Sequence, residues 1–445
     1  MRIVMTVCAV VFLSVPALTR ERTPDTSPLN ITIPAAEIPY NTSNGGRFPG
    51  MYQSLTLSND AAYAGHSAVD YALDPVGGWA QTLGRISFDV VMTWMPGGSG
   101  WLHEEWHRAV LGRYGFDSYN DIYKFNIGSD TVAVSHVSDA DLAWLKEHHN
   151  PDMVRLMEAG NEAEIEQTRI MRRDSFFAGR PLKHDLVWYY LSLVNCSYYI
   201  YMCTTDEADT MTDKMSRKEK TVEERDFTGL DFNAWIYDLN RPDEKYSARG
   251  THISGNGIDR YIKKSDLSDS ELRYLRRTAA VSLLNFVSPQ LLGIDRFRTT
   301  DPFTGGGLEL NGALFHHLTS FGWDIGCDMF FREGEKNVEV IFHGYSNKSH
   351  FFPGIEAGLF RDPVTIAGKT VYASLRALAF VQPRDSRFKT SKMEPGGLLG
   401  AGIAYPFSSF GEIFLEGSVK SDGWVTGDVY LDRQAELRTG VTFTI

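Results

Sequence analysis

From about Thr304 to its end the chain alternates with a period of two, and that pattern restricts the fold more than any other feature. Val371, Ala373, Leu375, Ala377, Ala379 and Val381 are interleaved with Tyr372, Ser374, Arg376, Leu378 and Phe380. Trp323, Ile325, Cys327 and Met329 alternate with Asp324, Gly326 and Asp328, and Val338, Val340 and Phe342 with Glu339, Ile341 and His343. Successive side chains of a strand point to opposite faces, so each run is a strand with two unlike faces. Turn signals separate the runs at Glu333-Gly334-Glu335, Arg361-Asp362-Pro363, Ser408-Ser409-Phe410-Gly411 and Ser421-Asp422-Gly423. About eight or nine such strands of roughly ten residues predict an antiparallel up-and-down β-barrel over 304–445. Leu437, Val441, Phe443 and Ile445 share one side of the last strand.

Residues 61–303 read mainly as helices, which makes the chain α+β. The apolar run Ile86 to Trp94 ends at Pro96-Gly97-Gly98-Ser99-Gly100, a break after which a helix is predicted from about Trp101 to Leu111, with Gly112 as its stop. A second helix is predicted from Pro151 to about Arg173. A third runs from Leu186 to Met202; Ser192, Asn195, Ser197 and its tyrosines favour a buried core helix over a membrane span. Thr204 to Asp226 is charged and reads as an exposed loop or solvated helix. Ser268-Asp269-Ser270-Glu271 is a capping box that opens a further helix.

Residues 1–17 have the form of a secretory signal: Arg2, an apolar run from Ile3 to Leu13, then Val15-Pro16-Ala17. Residues 18–60, rich in turn formers, read as an extended lead-in. Cys8 would leave with the signal, and the odd set Cys196, Cys203 and Cys327 defines no disulfide framework. A net charge of −12 gives no reason to expect a nucleic-acid partner.

The chemistry is concentrated at His103-Glu104-Glu105-Trp106-His107, an H-E-x-x-H pattern. Histidines four apart on a helix share one face, so both imidazoles reach one metal ion. Glu104 then stands beside the open coordination position, where it can take a proton from water. The apolar neighbours Trp101, Leu102, Trp106, Ala109 and Val110 imply that the histidines are partly buried. Glu105 is expected to face solvent.

Zinc needs a third protein ligand. The segment Gly160-Asn161-Glu162-Ala163-Glu164-Ile165-Glu166 resembles the N-E-A-x-x-x-D/E-like stretch of thermolysin-type zinc peptidases, the gluzincins. That resemblance implies Glu162 as third ligand and Glu166 as the carboxylate orienting a histidine, His103. The family more usually has aspartate at the second position. Read from residues alone, Glu158, Glu162 and Glu166 share a face with Arg155 and Arg169 as ion-pair partners, a solvated acidic stripe. His148, His149 and Asp152 are rival ligands. His184, His252 and several tyrosines could stabilise an oxyanion.

The last third, with its aromatics and a strand at the very end, resembles bacterial outer-membrane β-barrel proteins by pattern. A soluble antiparallel barrel or sandwich fits the same alternation. The expectation is an exported zinc hydrolase, a metallopeptidase of the cell envelope acting on a peptide or protein, with lipid around the barrel. The alternatives are a non-enzymatic outer-membrane barrel, channel or scaffold, whose H-E-x-x-H is structural or incidental, and a soluble secreted metallopeptidase with a β-rich accessory domain.

Overall fold

The computed structural model describes residues 29–128, 132–180, 182–302 and 304–444. The secretory-signal reading lies outside the described residues. The chain is α+β, with a helical part followed by an antiparallel sheet of ten strands. The strands are β1 (Asn30–Ile38), β2 (Phe297–Thr300), β3 (Gly307–Thr319), β4 (Gly322–Glu333), β5 (Lys336–Ser346), β6 (Phe351–Ile366), β7 (Lys369–Pro383), β8 (Met393–Ser408), β9 (Gly411–Lys420) and β10 (Gln434–Thr444). Their order is β1-β10-β9-β8-β7-β6-β5-β4-β3-β2.

The sheet is not closed into a barrel, which corrects the expectation from periodicity. Closure requires the two terminal strands to pair, whereas β1 pairs with β10 and β2 with β3 only. Alternation reports which face each side chain occupies; it carries no information about whether the first and last strands meet. β1 comes from the stretch read as a lead-in, and joins the far end of the chain through pairs such as Ile33–Val441 and Ile38–Leu437.

The sheet's inner face carries ion pairs beside an apolar cluster of Phe352, Leu378, Phe380 and Leu398 around Trp424. Arg376 pairs with Glu356 at 2.7 Å, Arg438 with Glu436 at 2.7 Å, and Asp328 with the helical Arg172 at 2.6 Å. The tight hairpins at Gly334–Glu335, Ala367–Gly368 and Ser409–Phe410 lie at one end of the strands. The longer connections 384–392 and 421–433 lie at the other.

The helices are α1 (Met51–Leu73), α2 (Gly78–Met92), α3 (Ser99–Arg113), α4 (Asp139–His148), α5 (Asn150–Phe177), α6 (Leu182–Met202), α7 (Asp206–Lys218), α8 (Asp231–Asn240) and α9 (Asp269–Val281). α5 is the axis of the molecule. Its 28 residues extend about 42 Å. Its C-terminal half lies against the sheet's inner face, where Phe176 meets Phe330, and every residue from Asp152 to Thr168 is buried. α3 starts where the glycine break allows: a Cβ on Gly98 would stand 1.5 Å from the Met92 carbonyl oxygen, so only glycine lets the chain turn back this closely. The Ser268 hydroxyl accepts the Glu271 N–H and caps α9 as its sequence predicts. α6 is the buried core helix expected, with Trp188, Tyr189, Leu193 and Cys196 inside. Among the described residues no helix is long and apolar enough to cross a membrane.

Candidate metal centre

α3 and α5 pack side by side, and their contact line forms the back wall of the site. On α5, Leu156, Gly160 and Glu164 are spaced one turn apart and so lie in a row. The Leu156 carbonyl oxygen accepts from His107 Nδ1 at 2.6 Å, and the Glu164 carboxylate takes His103 Nδ1 at 2.9 Å. With both Nδ1 atoms engaged, both Nε2 atoms are left for a metal, the usual way an imidazole ligand is held in one tautomer and orientation. Glu164 is itself fixed by the Asn195 amide at 3.0 Å and the Cys196 thiol at 3.0 Å.

Between the two anchors stands Gly160. A Cβ there would lie 2.3 Å from His103 Nε2 and 2.5 Å from His107 Nε2. The ring edges that carry the free nitrogens therefore fill the space that any larger residue would take.

The third group arrives from the start of α8. Asp231 Oδ2 lies 3.2 Å from His103 Nε2 and 3.6 Å from His107 Nε2. A tetrahedral ion with bonds of about 2.0–2.1 Å has ligand–ligand edges of about 3.3 Å, so these separations suit a shared ion. All three donor atoms lie within 4.8 Å of one another, and all three residues are buried. His107 Nε2 makes no hydrogen bond, an orphaned polar atom that a cation would satisfy. Two imidazoles and a carboxylate form a donor set typical of zinc.

The loop ahead of α8 is built to deliver Asp231. Asp226 accepts the N–H of Phe227 at 2.7 Å and of Gly229 at 3.0 Å, and Gly229 takes φ +82 against the Tyr261 ring. The Asp231 N–H donates to the Tyr199 hydroxyl at 3.0 Å. Burial would raise the Asp231 carboxyl, but His107 and His103 draw it down to about 2. Burial works against charge on His103 too; the hydrogen bonds to Asp231 and Glu164 outweigh it and hold the imidazole well above its usual range. Glu104 is pushed up to about 7 by burial, against the pull of His103 and His107.

The structure brings His103, Glu104 and His107 together as the motif predicts. Glu162 and Glu166, the ligand and orienting carboxylate that the gluzincin resemblance implies, do not join them in this structure. Two residues along a helix is a rotation of about 200°, so Glu162 faces away from the Gly160–Glu164 row. Its Oε1 accepts from Gly427 N at 2.8 Å and Arg155 at 3.1 Å. Glu166 is held by Arg169 at 2.6 and 2.8 Å. The ion-pair stripe with Arg155 and Arg169 is present, but it is buried against the sheet rather than solvated. Asp152 binds Arg113 and the Tyr114 hydroxyl, His148 bonds the Trp144 carbonyl, and His149 packs on the Tyr114 and Trp144 rings. None of the three belongs to the metal group. Glu105 is buried rather than solvent-facing, paired with Arg108 at 2.6 Å and Asn120 at 2.9 Å.

Asp231 and Glu164 are the residues sequence reasoning missed. An aspartate at the start of a helix reads as a cap, yet Asp231 makes no cap bond and turns its carboxylate to the histidines. The available signal was Gly160, a helix-interior glycine with no local role, which marks where another element comes close. Comparisons with protein-family models, curated proteins and solved structures found no match.

Proposed function

We propose that this chain is a metal-dependent hydrolase in which His103, His107 and Asp231 would hold a zinc ion. The observation that carries the reading is Glu104. Its carboxylate is 7 % exposed and takes no hydrogen bond from any described residue, whereas the neighbouring Glu105, Glu164 and Asp231 are all engaged. A carboxylate beside two histidines that no described residue holds is well suited to holding water.

A zinc ion held by His103, His107 and Asp231 would supply Lewis acidity toward a substrate carbonyl and a bound water. The rest is done by the chain. Glu104 takes the proton of the attacking water, helped by a pKa near neutrality, and returns it to the leaving nitrogen of a peptide. The Tyr199 oxygen accepts the Asp231 N–H, and its own proton would be available to a substrate oxygen. Glu164 and the Leu156 carbonyl keep the imidazoles aimed throughout.

Burial favours a second reading. His107 is 1 % exposed and His103 8 %, as in a structural metal site. One experiment separates the two: zinc content and hydrolysis of a peptide library by the full chain and by Glu104→Gln. The hydrolase reading expects one zinc per chain in both proteins, with activity only in the first. Zinc in both without hydrolysis by either supports the structural reading.

A further inference from the structure

The sheet's outer face exposes large apolar side chains where a soluble protein usually carries polar ones. Ile33, Leu437, Leu415, Leu399, Leu375 and Ile355, one from each strand from β1 to β6 around the sheet, are 42–64 % exposed. The charges of these strands point inward, where Arg376 meets Glu356 and Arg438 meets Glu436. Exposed charges such as Lys336, Arg361 and Lys369 lie at the tight-hairpin end. Strands of 9 to 16 residues are long enough, when tilted, for an apolar band about 25 Å tall.

The gap between the two edges of the sheet is bridged by helices. β1 packs on α1, α1 on α2, α2 on α6, α6 on the turn Ser282–Phe286, and that turn on β3. These helices continue the same surface. On α2, Trp79, Leu83 and Val91 form a stripe at four- and eight-residue spacing, 67 %, 39 % and 46 % exposed. Its charges are elsewhere: Arg85 pairs with Asp70, and Asp89 is buried against His66. Leu57 and Tyr71 on α1 and Leu283 beside α6 are exposed as well. The exposed apolar residues therefore run across β1 and β10 to β6, with Phe342 on β5, and continue over α1 and α2.

A soluble monomer seldom exposes an apolar patch beyond a few hundred Å², and a protein partner covers one side of a molecule. A surface that spans six neighbouring strands and two helices is matched by an apolar solvent better than by one partner face. We propose that the belt, helical seam included, is immersed in a lipid bilayer, with α1 and α2 standing where further strands would close a barrel. The metal centre then lies outside the bilayer at the end with the long connections, because Glu158 and Glu162, beside it on α5, bind Trp424 and Gly427 of the 421–433 connection.

The test uses the full-length chain in the Cys8→Ser, Cys327→Ser background, since Cys196 and Cys203 are buried. A fluorophore is placed at Leu83→Cys, Leu399→Cys or Lys389→Cys, and the protein is reconstituted into phosphatidylcholine–phosphatidylglycerol vesicles with brominated acyl chains. Most of the emission at positions 83 and 399 should be quenched, and none at 389, which is exposed beside Asn240. A chain that stays monodisperse without detergent and does not float with the vesicles overturns the proposal. Quenching at 399 without quenching at 83 overturns the lipid-facing seam and indicates a second copy or another protein there.

Discussion

Gly160→Ala is the perturbation whose sign the geometry decides. In the interior of a helix alanine is favoured over glycine by about 1 kcal/mol, so position 160 pays a standing cost for its glycine. The new Cβ would stand 2.3 Å from His103 Nε2 and Cδ2 and 2.5 Å from His107 Nε2, where carbon contacts need about 3.5–4.0 Å. The rings must retreat by about 1 Å or more. They are anchored from behind by Glu164 and the Leu156 carbonyl, so retreat breaks the bonds that orient them. Overpacking of this kind costs about 1–3 kcal/mol, which offsets or exceeds the propensity gain. Disturbed ligand orientation should weaken metal binding by about 10–100-fold. Competition with a chromogenic chelator gives the affinity, and thermal unfolding of the metal-free protein gives the stability. A Gly160→Ala protein with wild-type zinc affinity and a raised Tm would refute the tight back wall.

Glu104→Gln should keep zinc and lose about 10²–10⁴-fold in kcat, the span of general acid–base catalysis; full activity in the variant would remove Glu104 from the reaction. Asp231→Asn should lower zinc affinity markedly while Glu162→Gln leaves it within twofold, as read by chelator competition; the reverse order would restore the gluzincin-like ligand set. The Glu104 carboxyl must be ionised to accept a proton, and burial pushes it up to about 7. A bound cation favours the carboxylate, so kcat/KM should rise with pH along a limb at or below about 7 and then level; a rate that increases on acidification contradicts this role. Zinc affinity should fall as pH falls, because protons compete for His103, which Asp231 and Glu164 hold protonated well above its usual range in the metal-free chain.

Much of the wall and half of the site were legible in the sequence. Period-two alternation placed the strands, because it is imposed locally by the pleat. The H-E-x-x-H spacing placed His103, Glu104 and His107 on α3 because one turn of helix is also local. What lay beyond reach depends on packing between distant segments. Nothing near Asn30 announces that β1 pairs with the last strand. The helix carrying Glu162, Glu164 and Glu166 was expected, but which of its faces meets α3 is set by tertiary contact. A rotation of about 200° separates the family-like choice of Glu162 from the observed Glu164. Asp231 was hidden by an ordinary role, that of an acid at a helix start.

We propose that His103, His107 and Asp231 share one ion. Anomalous diffraction at the zinc edge, from crystals of the full-length protein purified without chelator, tests it most directly. A single peak is expected about 2.0–2.2 Å from His103 Nε2, His107 Nε2 and an Asp231 carboxylate oxygen. No peak at that point, or a peak coordinated by Glu162 in place of Asp231, contradicts it.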